Sequence, residues 1–442
     1  MTIGSPGGKL VARSLSPPPP FEAPNPSPGA PLSTPPSLPA PVREPRTRLR
    51  LRRIGRRLLW AALFATFAVA ALELAVRFLW PQPTFYSRPG LYVEDPFLGH
   101  RMRPGLVAEV GNVAEFTTRV HINSLGLRGP ELGPHKAGVL RILVLGDSFT
   151  FGTGVEDEAA FPARLAAELT REGVPAEGLN AGIGGFGIPD EVAWYERYGR
   201  ALRPDLIVLG VFPGNDLQDA APGRPALAVI DGEILDRADR RRSSVSHWLY
   251  LHSQLFALLK YSLPRPVDRA LRRVFHLPEP GALRGLRDEM ALYRLGNRPL
   301  AEAGGAATER ALRHLRELAR EDGAEVAALL LPSDLEADEG DWGRALRTLR
   351  LDPHQVDRTQ THRILATALA RQGVPALDLT PGFATALRGG AILFYRHDRH
   401  YTAEGHSLIA RQAALFLRTR SSALRASGIA LGPSNPGLRP GL

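Results

Sequence analysis

From residue 139 onward, short apolar stretches alternate with stretches of helical spacing, and this alternation leaves the chain one class of fold. Val139–Leu145, Asp205–Phe212, Val326–Leu331 and Ala376–Leu379 are rich in leucine and β-branched residues and too short for buried helices, so they read as strands. A further short strand leads into Leu179-Asn180-Ala181-Gly182-Ile183-Gly184-Gly185-Phe186-Gly187. Between and after these lie helical patterns at Phe161–Leu169, Asp190–Leu202, Ala306–Glu321, His362–Gln372 and Ala403–Leu417. Strands that alternate with helices form a parallel sheet covered on both faces, with right-handed crossovers. The expectation is an α/β domain over residues 139–420, interrupted by an insertion at 217–305. Within the insertion, Val229–Ile234 reads as a hairpin and Trp248–Leu263 as an apolar helix, and Arg240-Arg241-Arg242 with Arg269, Arg272 and Arg273 adds positive charge. It reads as a lid, a lipid-facing surface or a packed subdomain.

In a parallel sheet every strand ends on the same edge, and open α/β folds keep their chemistry there. The first strand stops at Gly146-Asp147-Ser148-Phe149, the second runs into the loop with Gly185, and the third ends in Pro213-Gly214-Asn215-Asp216. Arg396-His397-Asp398-Arg399-His400-Tyr401 precedes the last helix on the same edge. A serine hydroxyl is a weak nucleophile until a base takes its proton. His400 can do so, with Asp398 orienting the imidazole. The backbone amides of Ser148 and Gly185 and the side-chain amide of Asn215 can meet an oxyanion. His397 and His406 are rival bases, while Asp147 and Asp216 read as braces of their loops. The glycines at 182–187 lack the Lys and Ser/Thr of a phosphate loop, and no His, Asp and Glu cluster has metal-ligand spacing, so neither a metal nor another cofactor is expected.

These residues carry a resemblance. Gly146-Asp147-Ser148-Phe149, Gly185 five positions after Asn180, Gly214-Asn215-Asp216, and His400 with Gly405 five positions on resemble, in that order, the first, second, third and fifth blocks of the SGNH/GDSL hydrolase superfamily. The resemblance covers roughly residues 139–420. It implies a flavodoxin-like three-layer α/β/α fold with a central parallel sheet, and ester hydrolysis or acyl transfer. The common form of the last block is Asp-x-x-His, whereas here the acid stands two positions before the histidine. That shorter spacing resembles membrane-bound relatives of the alginate-type O-acetyltransferases. Three functions follow: a serine esterase acting on acyl, foremost O-acetyl, esters of envelope carbohydrates or on small esters; an O-acetyltransferase using the same site; or a non-catalytic envelope glycan-binding or scaffold protein.

The front of the 442-residue chain is of another kind. Residues 1–57 are a tail, Pro-rich at first and Arg-rich at its end, whose composition cannot bury enough apolar surface to order itself. Residues 58–80 are apolar except for Glu73 and Arg77, and as a helix they would span about 34 Å, enough for a hydrocarbon core of about 30 Å. Trp60 and Trp80 stand near the two ends, and Arg77 can pair with Glu73 four positions away. The stretch reads as an uncleaved single-pass transmembrane helix. A cleaved signal, with Arg56-Arg57-Leu58-Leu59 and Ala68-Val69-Ala70, is the alternative. The arginines ahead of it place the N-terminus in the cytoplasm and the remainder outside the cell membrane. The net charge of +10 is concentrated in this tail, so the folded part offers no strong nucleic-acid surface. Residues 81–138, broken repeatedly by proline, read as a connecting segment with short β-like pieces and no obvious chemistry; residues 421–442 read as a flexible tail. With no cysteine, disulfides and thiolate sites are excluded.

Overall fold

The computed structural model describes residues 46–82, 84–112, 114–224, 227–230, 232–236, 248–249, 252–259 and 281–420. The Pro-rich tail, the arginine clusters at 240–242 and 269–273 and the tail after 420 lie outside them. The chain divides into two compact units, Met1–Ala65 and Thr66–Leu442. Within the first, the described residues belong to a long helix, Arg46–Leu79, that continues into the second. Arg52–Leu79, whose most apolar 18-residue window has a mean hydropathy of 2.0, is by length and composition apolar enough to cross a membrane.

The second unit opens with five short strands: β1 (Phe85–Arg88), β2 (Tyr92–Asp95), β3 (Gly99–Met102), β4 (Leu106–Asn112) and β5 (Phe116–Ile122). β1, β4 and β5 form an antiparallel sheet, and β2 pairs with β3. Along β4 and β5 buried and exposed residues alternate, the mark of a sheet with one wet face.

The main sheet follows: β6 (Leu140–Gly146), β7 (Ala176–Gly182), β8 (Leu206–Val211), then, after the antiparallel pair β9 (Leu227–Ile230) and β10 (Glu233–Asp236), β11 (Glu325–Leu330) and β12 (Ala376–Asp378). Its order is β12-β11-β8-β6-β7, all parallel. Numbered within the sheet that is 2-1-3-4-5, the flavodoxin-like order. Two-residue periodicity divides each strand between two cores. Ile142 and Val144 of β6 pack with Phe161, Leu165, Ile409 and Leu417 of helices Phe161–Arg171 and Ala403–Arg420. Leu143 and Leu145 pack with Val192, Leu312, Leu315 and Leu365 of helices Ile188–Trp194, Arg298–Asp322 and Gln360–Arg371. These apolar side chains are fully or almost fully buried, each contributing about 1.5–3 kcal/mol. The three layers expected from the sequence are present.

Two elements differ from their sequence reading. The helix expected over Asp190–Leu202 is α-helical only to Trp194 and finishes in a wider turn and a tighter one. The helix expected over Trp248–Leu263 is interrupted at Ser253, whose backbone is extended and whose hydroxyl caps a short helix, Gln254–Ala257, by accepting from Phe256 N–H. Ser253 Oγ also donates to Glu73, so a contact 180 positions away in sequence holds the break open.

Candidate active site

β6 ends at Gly146, and Ser148 opens a short helix, Ser148–Phe151. The turn is tight: a side chain at Gly146 would come within 2.0 Å of Thr150 Oγ1. Asp147, fully buried, braces this turn by accepting from Phe149 N–H at 2.8 Å and from Asn215 Nδ2 at 3.1 Å. Asn180 Nδ2 donates to Phe151 O. The buried Arg128 guanidinium donates to the carbonyls of Phe151 and Gly152, both at 2.7 Å, and pairs with Asp157. Ser148 is thus held by side chains from three separate stretches of chain.

His400 lies in a closed loop. Tyr395 N–H donates to His400 O, Phe394 bridges Tyr401, and the Tyr401 hydroxyl donates to Pro332 O. From there the His400 Nε2 is 2.8 Å from Ser148 Oγ, and its Nδ1 is 2.6 Å from Asp398 Oδ1. This arrangement fits a neutral imidazole that donates from Nδ1 to the carboxylate and accepts the serine proton at Nε2. Phe149 packs against the imidazole, with ring centroids 4.5 Å apart.

The two-residue spacing still brings Asp398 to His400 because the backbone turns between them. In a straight strand, side chains two residues apart share a face but stand roughly 6.6 Å apart along it. Arg399, the residue between, has φ +72°. For a residue with a Cβ this left-handed conformation costs about 1–2 kcal/mol. Arg399 is held in it by a bond to Glu289 at 2.7 Å and by two more to Asp334, one of them at 2.7 Å.

The segment read as having no chemistry supplies the other clamp, which corrects that reading. At the turn between β4 and β5, the Glu115 carboxylate accepts the backbone N–H of His397 at 2.9 Å and of Asp398 at 2.8 Å. Burial by itself would raise the Asp398 pKa. The His400 charge, hydrogen bonds from the His400 ring and backbone, and one from the Asn112 side chain outweigh it and hold the carboxyl below its usual range. The local signal was a polar turn between two alternating stretches, which marks a hairpin and says nothing of what its tip will meet.

Ser148, Asn215, Asp398 and His400 line one cavity of about 300 Å³, together with Gln218, Asp288, Asp334 and Arg399. Gly185 is not among its lining residues. It has φ +79°, and a side chain there would meet Leu227 and Ile234 of the β9–β10 hairpin at 2.8 and 3.1 Å. Of the rival histidines, His397 is exposed and reaches the site by its backbone alone among the bonds described. His406 is buried, and its Nδ1 accepts from Phe161 N–H. Asp216 accepts from Phe212 N–H at 2.7 Å and, like its buried neighbour Glu191, has its pKa raised by burial and by surrounding carboxylates. Among the described residues no His, Asp and Glu group is arranged to hold a metal.

Burial, reinforced by the charges of Arg128 and Arg164, lowers the His406 pKa to about 3. An unfolded histidine takes up a proton near pH 6.5, which the folded state refuses. The stability contributed by the neutral ring is therefore complete above about pH 6.5 and declines by about 1.4 kcal/mol per unit as the pH falls below it, until about pH 3. Denaturant unfolding of wild type and His406→Gln at pH 7, 6 and 5 should show the wild-type advantage shrinking at that slope. A constant difference would mean that His406 titrates in the fold as it does in the unfolded chain.

Residues 144–354 match the GDSL-like lipase/acylhydrolase family, and residues 292–441 match the SGNH hydrolase-like domain of the acetyltransferase AlgX. Among solved structures, the acetyl xylan esterase AlAXEase is similar at 14% identity, covering 62% of this chain and 98% of its own, with a TM-score of 0.32. A variant of Axe2, an acetyl xylan esterase from Geobacillus stearothermophilus, is 16% identical and covers 67% and 97%, also at 0.32. The lipase/acylhydrolase from Enterococcus faecalis is 13% identical and covers 64% and 96% at 0.33. No curated protein matches in sequence.

Proposed function

We propose that this chain, which belongs to the SGNH/GDSL hydrolase superfamily, is a serine esterase acting through an acyl-enzyme on acyl esters, foremost O-acetyl esters, of envelope carbohydrates. The observation that carries the reading is the continuous path Asp398–His400–Ser148, with contacts of 2.6 and 2.8 Å. Ser148 Oγ attacks the acyl carbonyl while its proton passes to His400 Nε2, and Asp398 stabilises the imidazolium. The tetrahedral oxyanion accepts from the Ser148 N–H and the Asn215 side-chain amide, both of which belong to residues lining the cavity; one such donor is worth about 3–4 kcal/mol in other serine enzymes. Collapse breaks the ester C–O bond, and the departing sugar oxygen takes the proton from His400. Water then attacks the acyl-serine by the same route, releasing the acid and restoring Ser148.

A second reading is acyl transfer, with a sugar hydroxyl in place of that water. It is favoured by the likeness of residues 292–441, which include Asp398 and His400, to the AlgX acetyltransferase domain. The full chain supplied with p-nitrophenyl acetate and a mixture of oligosaccharide acceptors tests both. Release of p-nitrophenol with acetate as the product supports the esterase, and acetylated oligosaccharide supports the transferase. No p-nitrophenol from any short acyl ester defeats both and leaves a non-catalytic glycan-binding protein. The apolar helix serves in this proposal as a single-pass anchor with the N-terminus cytoplasmic and the catalytic domain outside.

Glu115 acts here as a positioning residue, since it holds the loop carrying the acid and touches no reacting atom. Glu115→Ala frees two backbone N–H groups and loosens Asp398, for an expected 10- to 100-fold loss in kcat with KM little changed. Glu115→Gln keeps one acceptor and should recover part of the loss. A change in KM alone would show that Glu115 serves substrate binding instead.

A further inference from the structure

The last turns of the apolar helix do not end free of the domain. The Glu73 carboxylate accepts from Ser253 Oγ at 2.8 Å and from the backbone N–H groups of Gln254 and Leu255, both at 2.9 Å. Arg77, paired with Glu73 at 3.0 Å, donates to His252 O. Further along, Gln254 Oε1 accepts from Gln82 N–H, and Gln254 Nε2 donates to Thr84 Oγ1. Val76, one turn from Glu73, is 6% exposed. Residues 252–255 are therefore tied to the helix at the level of Glu73 and Arg77.

That level is set by the length of the helix. A hydrocarbon core of about 30 Å takes about 20 helical residues. Counted from Leu58, the first apolar residue after Arg56 and Arg57, such a span ends at Arg77. Arg77 then stands at the far boundary of the core and Glu73 one turn, about 6 Å, inside it, where a carboxylate needs partners and has them. The residues bonded to them stand at the same depth. Around this junction large apolar side chains remain uncovered: Phe78 at 77% exposed, Trp80 at 58%, Trp248 at 58% and Leu259 at 44%. Trp248 stacks on His252, whose carbonyl receives Arg77. Tryptophan with flanking aliphatic residues is the composition of a membrane–water interface.

We propose that residues 248–249 and 252–259 form a second lipid contact, lying in the outer interface of the bilayer with Trp248 and Leu259 toward the lipid, and fixed to the anchor by Glu73. The occupant is the bilayer itself, because residues 252–255 are bonded to the helix at Glu73 and Arg77 and the exposed Trp248 stacks on His252 beside them. The inference rests on the reading of that helix as an anchor, and it gives the domain two attachments. A domain so held cannot swing freely on one tether, and its cavity keeps a set distance from the membrane.

The chain contains no cysteine, so each introduced cysteine is the sole attachment point for an environment-sensitive fluorophore. Full-length Phe67→Cys, Trp248→Cys, Leu259→Cys, Leu125→Cys and Ile392→Cys are labelled and placed in nanodiscs of phosphatidylcholine and phosphatidylglycerol. Nitroxide-bearing lipids, substituted at the headgroup or deep in the acyl chain, act as quenchers. The label at 67 reports the anchor, and should be blue-shifted and quenched by the deep nitroxide. Labels at 248 and 259 should be blue-shifted and quenched by the shallow one, and those at 125 and 392 should show aqueous emission without quenching. Aqueous behaviour at 248 or 259 with quenching at 67 overturns the second contact and leaves the anchor standing. An unquenched label at 67 overturns both.

Discussion

Ser148→Ala is expected to lower turnover of p-nitrophenyl acetate by about 10⁴- to 10⁶-fold, the range set by loss of a serine nucleophile in other enzymes of this chemistry. The same variant should lose covalent labelling by a fluorophosphonate, which wild type should show with one adduct per chain. The fold should not notice the change. Ser148 is partly exposed, and the turn around it is held by Asp147, Asn180 and Arg128 rather than by its own hydroxyl among the bonds described apart from that to His400. Unfolding free energy should stay within about 0.5 kcal/mol of wild type. A variant that keeps both turnover and label would place the nucleophile elsewhere and remove the basis of the proposed reaction.

Asp398→Asn should cost about 10⁴-fold in kcat, the size of the effect when a triad acid loses its charge while keeping its shape. In the proposed reaction the acid is two residues from the base instead of three, and the geometry shows how the shorter spacing still brings Asp398 to His400. Arg399 turns the backbone, Glu289 and Asp334 hold Arg399, and Glu115 holds the preceding peptide groups. The Asp398 carboxyl lies below the usual carboxylate range, so it remains ionised throughout neutral pH and the acidic limb of a kcat/KM profile does not belong to it. In Asp398→Asn the imidazolium formed during attack has no negative partner, and the amide can present a donor to Nδ1 and favour the wrong tautomer. A loss below tenfold would mean that Asp398 is a structural residue and that His400 works without an orienting carboxylate. Arg399→Gly would separate the two clamps, since it removes the ion pairs yet accepts the left-handed turn without strain.

The α/β class and its sheet were legible in the linear chain because they rest on local properties. Leucine and β-branched runs of strand length, helical spacing between them, and glycine at the strand ends each reflect the preferences of a few neighbouring residues. Parallel strands end on one edge, so topology alone brings Ser148, Asn215 and His400 to the cavity they share. Only the tertiary structure could decide what surrounds that edge. Glu115 and Asp398 meet across 283 positions, and Glu73 and Leu255 across 182; such contacts depend on how whole elements pack and leave no periodic trace in the chain. The same holds for the histidines. His400 and His406 look alike in sequence, but one stands at the rim against Ser148, while packing buries the other beneath Phe161 and keeps it neutral.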